Sequence, residues 1–142
     1  MKPRSRKFSK HHRYLVKPIP KFKTHLIYGN YGLMCNQSSL VTSTQLNAAI
    51  MTIKRSLKRK GTLFTRIFPH IPVTAKPNET RMGKGKGSVN EWITRVQNGS
   101  ILFELRSASP LLAKTALTSV CKKLPFKTTF VSRIPRTTSH VS

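Results

Sequence analysis

Apolar residues recur at helical spacing in two stretches of the chain and at strand-like spacing in several others. Leu46, Ala49, Ile50, Ile53 and Leu57 fall at i, i+3, i+4, i+7 and i+11, one face of a helix. Thr42 and Ser43 precede them as good N-cap types, and Gly61 beyond the run is the expected C′ stop. Ser109-Pro110 opens a second helix, with Ser as N-cap and Pro at its first position. Leu112, Ala113, Ala116, Leu117, Val120, Cys121 and Leu124 form its apolar stripe. Residues 24–35 are rich in β-formers with a Gly-Asn break, which predicts one or two strands with a bulge or kink. Residues 62–68 read as a strand. Pro69, Pro72 and Pro77 then confine any strand over 72–76 to an edge or to short extended pieces. Two alternating runs, 91–97 and 100–106, flank Asn98-Gly99, a strong hairpin signal. A last strand follows at 127–132. Strands and helices in this mixed order predict an α+β fold, two helices packed on a mainly antiparallel sheet.

Charge changes that picture. The 142 residues carry 27 Lys+Arg against 3 Asp+Glu, a formal net charge of +24. Self-repulsion on that scale needs an external polyanion, and the regular phosphates of nucleic acid supply one. The charge is partitioned. Residues 1–23 hold nine Lys/Arg, three prolines and no acid, and read as a basic arm that cannot offset its own ordering entropy. Arg4, Arg6, Lys7, Lys10, His11, His12 and Arg13 are its candidate nucleic-acid contacts, with Phe8, Tyr14 and Phe22 interleaved as candidates for stacking on bases or for docking on protein. Starting with Met and lacking an amphipathic stripe, the arm fits a cleaved transit peptide poorly. Residues 24–53 contain no Lys, Arg, Asp or Glu, which predicts burial. Lys54, Arg55, Lys58, Arg59 and Lys60 crowd the end of the first helix, more than its macrodipole requires, and are expected to meet phosphates. The resulting domain plan is a basic arm over 1–23, one α+β domain over 24–132 and a mobile basic tail over 133–142.

The same counts exclude several function classes. Glu79, Glu91 and Glu104 are isolated in sequence and there is no Asp, so paired-carboxylate hydrolysis, acidic metal clusters and Asp-containing triads have no material. Cys35 and Cys121 lack zinc-site spacing and read as core. Trp92 reads as strand packing, and His25 and His70 as ordinary surface groups. No apolar run approaches the ~18–20 residues of a membrane span. A cationic membrane-active protein would spread its charge along an amphipathic helix, whereas here it is gathered at one helix end. Another basic nucleic-acid-binding protein stays open at this point. No cofactor, metal or enzymatic activity is expected.

The densest segment runs from Arg66 to Gly87. Two strands precede a loop with three glycines and the cations Arg81, Lys84 and Lys86. Such loops let backbone approach a ligand closely and can turn successive N–H groups towards anions. The Walker A spacing is not met. The segment RIFPHIPVTAKPNETRMGKGKGS resembles the central motif of the bacterial and organellar large-subunit ribosomal protein sixteen family, RIFP-x-x-PVT-x-KP-x-ETRMGxGKG. Further likenesses occur around residues 7–13, 42–49, 91–92, 98–104, 113–117 and 123–128, so that the resemblance covers about 7–132. It implies a hammerhead-type α+β fold and a non-enzymatic protein that binds large-subunit rRNA near the peptidyl transferase centre. It also implies a loop facing the aminoacyl-site tRNA, here Glu79, Thr80, Arg81, Met82, Gly83, Lys84, Gly85, Lys86, Gly87 and Ser88. The loop arginine, matched by Arg81, is hydroxylated in some members. The implied partners are that rRNA, the tRNA and neighbouring large-subunit proteins, with late joining during assembly, no membrane and no homo-oligomer. The chain departs from the pattern at His70, at Tyr14 and across 28–42, where a family Trp and acid are lost. Such drift, with a start near the family's own, resembles an organelle-encoded copy, mitochondrial first and plastid second.

Overall fold

The computed structural model describes residues 1–4, 8–12, 25–107 and 109–133. Of the expected contacts, Arg6, Lys7 and Arg13 lie outside these, as do Tyr14, Phe22 and nearly all of the tail. The chain runs β1 (Tyr31–Cys35), β2 (Ser39–Thr42), α1 (Ser43–Leu57), β3 (Thr62–Thr65), β4 (Ile71–Ala75), β5 (Ser88–Val96), β6 (Ile101–Arg106), α2 (Pro110–Thr118), a 3-10 turn (Cys121–Lys123) and β7 (Thr128–Ser132). Every strand pairing is antiparallel. Two sheets form, ordered β3-β6-β1-β7 and β2-β5-β4, so the α+β expectation holds with two sheets instead of one.

The helices bury the predicted stripes. Leu46, Ala49, Ile53 and Leu57 of α1 meet Ala116 and Leu117 of α2 in one core with Leu33, Phe103 and Leu105. Leu33 stands opposite Phe103 across β1 and β6, which puts both on the helix-facing side. Thr42 caps α1 through a capping box with Gln45, and Ser109 caps α2 with Pro110 following. Within the predicted β stretch, the described residues 25–35 give one strand, β1, with a register shift between Leu33 and Met34 against β6. Pro72 sits in β4, an edge strand, as the missing N–H demands.

Four expectations need correction. The hairpin does not form. Asn98-Gly99 makes its turn, with Gly99 at φ 80° and the Ser100 N–H donating to the Gln97 carbonyl at 3.1 Å. Yet β5 and β6 pair in different sheets, and the turn is held by the end of β1. The Gly99 N–H donates to the Cys35 carbonyl at 2.7 Å and the Cys35 N–H to the Ser100 carbonyl at 2.9 Å. Residues 101–105 are buried on both faces, which suits a strand between two neighbours better than half of a ribbon. The second correction concerns α1, which stops at Leu57 and not at Gly61; Lys58 and Arg59 take the left-handed conformation at φ 45° and 68°. Gly61 serves close approach instead: a Cβ there would lie 3.0 Å from the Arg106 carbonyl oxygen. Third, α2 ends at Thr118, where hydroxyls compete for helix carbonyls: Thr118 donates to Lys114 at 2.7 Å and Ser119 to Ala116 at 2.8 Å. Val120 nonetheless stays buried. Finally, the uncharged stretch 24–53 is not uniformly interior, since Ile27 and Tyr28 are 59% and 53% exposed.

Candidate nucleic-acid interface

The register of α1 decides where its cations point. With Leu46, Ala49, Ile53 and Leu57 turned inward, Lys54, Arg55, Lys58, Arg59 and Lys60 are all exposed. Lys58 and Arg59 carry a backbone conformation that disfavours a Cβ by roughly 1–2 kcal/mol per residue. Strain of this kind gathers at functional sites. A cavity of about 380 Å³ opens beside them, lined by Ser56, Leu57, Lys58 and Lys60 with Ser109 and Leu112 of the α2 start.

The central loop joins β4 to β5. Residues 79–86 are exposed, Met82 to 97%. Gly83, Lys84 and Gly85 follow one another at φ 93°, 55° and 75°, a left-handed run that glycine makes feasible on either side of Lys84. The Lys76 ammonium donates to the Gly83 carbonyl and ties the loop to its stem. At the far end Gly87 is pressed against the chain: a Cβ there would collide with the Ala75 carbonyl oxygen and lie 2.7 Å from its carbon. Gly87→Ala is expected to lower stability by about 1–3 kcal/mol through this overpacking, measured as a drop in the urea midpoint. An unchanged midpoint would show that the stem gives way freely.

The arm and the loop, separate in sequence, meet. Lys10 Nζ donates to the Lys86 carbonyl at 2.8 Å, and Lys86 Nζ donates to the His11 carbonyl at 2.7 Å. His11, Lys86 and Arg95 rim a cavity of about 140 Å³ with Ile71, Pro72, Val73, Thr74 and Ile93 on its walls. His12 is exposed next to His11, and Arg4 is exposed near the chain start. The helix-end cations Lys58 and Lys60 line a different cavity, so the candidate contacts form two clusters, arm with loop and α1 with α2.

All three acids have positions that sequence spacing does not display. Glu104 is wholly buried. Its Oε2 accepts the backbone N–H groups of Ile27, Tyr28 and Gly29 at 3.0, 2.6 and 2.9 Å, and its Oε1 pairs with the Arg66 guanidinium. Burial pushes the carboxyl upward, but the Gly29 N–H, Arg66 and the other two N–H groups outweigh it and hold it below the usual carboxylate range. The signal in the sequence is a Glu inside the apolar run 101–105, which demands partners. Glu91 Oε1 accepts the Thr44 hydroxyl at 3.1 Å, placing an acid from β5 at the positive end of α1, whose own first turn has none. Glu79 is exposed in the loop. Cys35 is fully buried, and burial raises its thiol while a hydrogen bond to the Gln37 carbonyl acts the other way; it is core. Among the described residues no group of three His, Cys, Asp or Glu could hold a metal ion, and no helix is long and apolar enough to cross a membrane.

Comparison with known proteins adds an independent line. The profile of the family described as ribosomal protein L16p/L10e matches residues 3–131. A protein of Nitrobacter winogradskyi named large ribosomal subunit protein uL16 is 40% identical over 134 residues, covering 94% of this chain and 98% of its own. The protein of the same name from Gluconacetobacter diazotrophicus is 42% identical, with 94% and 97% covered. That of Rhodospirillum rubrum is 41% identical over the same shares.

Proposed function

Because this chain belongs to the ribosomal protein L16p/L10e family, we propose that it works as a structural constituent of the large ribosomal subunit. The observation that carries this reading is the family match along residues 3–131. The chain is not an enzyme; it binds large-subunit rRNA and neighbouring ribosomal proteins, and the RNA phosphates supply the counter-charge that three acids cannot.

Within that assignment the cations of the arm and of the α1 end take one task and the central loop another. Lys54, Arg55, Lys58, Arg59 and Lys60 at the end of α1, with the arm residues Arg4, Arg6, Lys7, Lys10, His11, His12 and Arg13, neutralise backbone phosphates and fix register by RNA shape. The loop 79–88, footed by Lys76 and Gly87 and braced by Lys10, faces the aminoacyl-site tRNA near the peptidyl transferase centre, with Arg81 and Lys84 as its exposed cations. The chain divides into the arm 1–23, the domain 24–132 and the tail 133–142, and one copy joins each subunit late in assembly. The ribosome is the mitochondrial one in this reading, supported by the drift of 28–42 from the family pattern; a plastid ribosome is the alternative.

Titration of the full chain against a large-subunit rRNA transcript tests the electrostatic core of the proposal. With about 8–10 phosphates neutralised, log K should fall against log salt with a slope of about −7 to −9, less for irregular RNA. A nearly flat dependence would contradict it. Co-sedimentation with mature large subunits is the expected companion result; recovery only in fractions free of subunits would count against the assignment.

A further inference from the structure

The uncharged stretch 24–53 departs from burial at one place, and that place is built. The Glu104 carboxylate grips three consecutive backbone N–H groups, those of Ile27, Tyr28 and Gly29. This pins the segment across β3 and β6 and leaves Tyr28 53% exposed. The ring stacks on Phe64 of β3, with centroids 5.5 Å apart and planes 28° from parallel. The Arg66 guanidinium lies 5.7 Å from the Tyr28 centroid. That of Arg106 lies 5.6 Å from the Phe64 centroid and donates to the Tyr28 carbonyl at 3.0 Å. Arginine and aromatic side chains thus form one layered group. Glu104 neutralises Arg66. Arg106 is exposed, and a guanidinium has five N–H donors, so bonding one carbonyl leaves others for a ligand.

We propose that Tyr28, held between this carboxylate clamp and its aromatic neighbour, is a stacking platform for one unpaired RNA nucleobase, with Arg106 meeting the adjoining phosphate. The inference rests on the rRNA-binding reading and deepens it. A half-exposed tyrosine beside the exposed Arg106 suits a ligand that offers a π-face and a phosphate together, which an unstacked nucleotide does. A structural role for the stack alone does not require the ring to be open: Glu104 and the three N–H groups already fix the segment. The clamp also limits the entropy lost on binding, since the platform is ordered beforehand.

The full chain in complex with a large-subunit rRNA transcript is the test. Tyr28→Leu, which keeps apolar bulk and removes the π-face, should weaken binding about 5- to 150-fold, the loss expected for one stacked base. Tyr28→Phe should stay within about 2-fold, since the ring is what stacks. The salt slope should be unchanged in both variants, because neither removes a cation. If Tyr28→Leu binds as the native chain does, with the steep salt slope intact, the platform is refuted while the rRNA-binding reading stands. If the native chain itself shows no salt-dependent rRNA binding, the broader reading fails first. Ultraviolet cross-linking of the native complex, followed by mass spectrometry, covers the case of a misfolded variant. A nucleotide adduct on Tyr28 supports the platform, and adducts confined to the arm and the central loop overturn it.

Discussion

Glu104→Ala should lower folding stability by about 3–5 kcal/mol, the cost of breaking a buried, hydrogen-bonded charge pair. The substitution strands Arg66 and the N–H groups of Ile27, Tyr28 and Gly29, all of which converge on this carboxylate. Domains of this size hold roughly 5–15 kcal/mol in total, so the loss is a large share. Glu104→Gln retains one carbonyl acceptor and should lose less, about 1–3 kcal/mol. Urea denaturation measures both; a loss under about 1 kcal/mol in the Ala variant would mean the clamp is not the anchor described. The pH response follows from the direction of the shift. The folded carboxyl titrates below its ordinary value, so its stabilisation is complete above the unfolded value of about 4.3. It is lost as pH falls through the lower folded value. Native protein should therefore lose stability steeply below pH ~4, and Glu104→Gln should flatten that limb.

The elements most legible in the sequence are those whose signal is local. Both helices announce themselves through stripes that bury, and through Thr42 and Ser109 as caps. What sequence misses is decided by distant partners. Asn98-Gly99 predicts its own turn correctly, but strand pairing depends on Cys35 and the residues beyond it. Gly61 resembles a helix stop because glycine is good at stopping helices; it is needed against Arg106 in β6, and two cations take the left-handed positions instead. The absence of charge in 24–53 points to burial, correctly for Leu33 and Cys35 and wrongly for Ile27 and Tyr28. In the candidate site, the loop 79–88 is visible as a motif. Its junction with the arm is not, because Lys10 bonding the Lys86 carbonyl and Lys86 bonding the His11 carbonyl leave no sequence pattern across 76 and 75 residues. The three acids, sparse enough to suggest only what the chain lacks, include the one group that organises the Arg66 side of the fold.

Replacing Lys54, Arg55, Lys58, Arg59 and Lys60 together by Gln should leave the fold intact and reduce the rRNA salt slope by about 4–5, close to 0.9 for each phosphate no longer neutralised. At about 0.15 M salt that corresponds to an affinity loss on the order of 10³-fold. The fold should survive because all five side chains are exposed. At the two helical positions, 54 and 55, Gln is also nearly as good a helix former as Lys or Arg, and the missing dipole interaction amounts to tenths of a kcal/mol per cation. Calorimetry and rRNA titration separate the two properties. An affinity loss without a slope change would mean that these residues do not meet phosphates. Arg59→Gly sharpens the point. Its φ of 68° suits glycine, so relief of left-handed strain should raise stability by up to about 1 kcal/mol. Removing the charge should meanwhile lower the slope by about 1. Stability gained as binding weakens is the mark of strain kept for function. If Arg59→Gly instead lost stability and kept its full salt slope, the left-handed pair would be a packing feature of the α1 terminus alone.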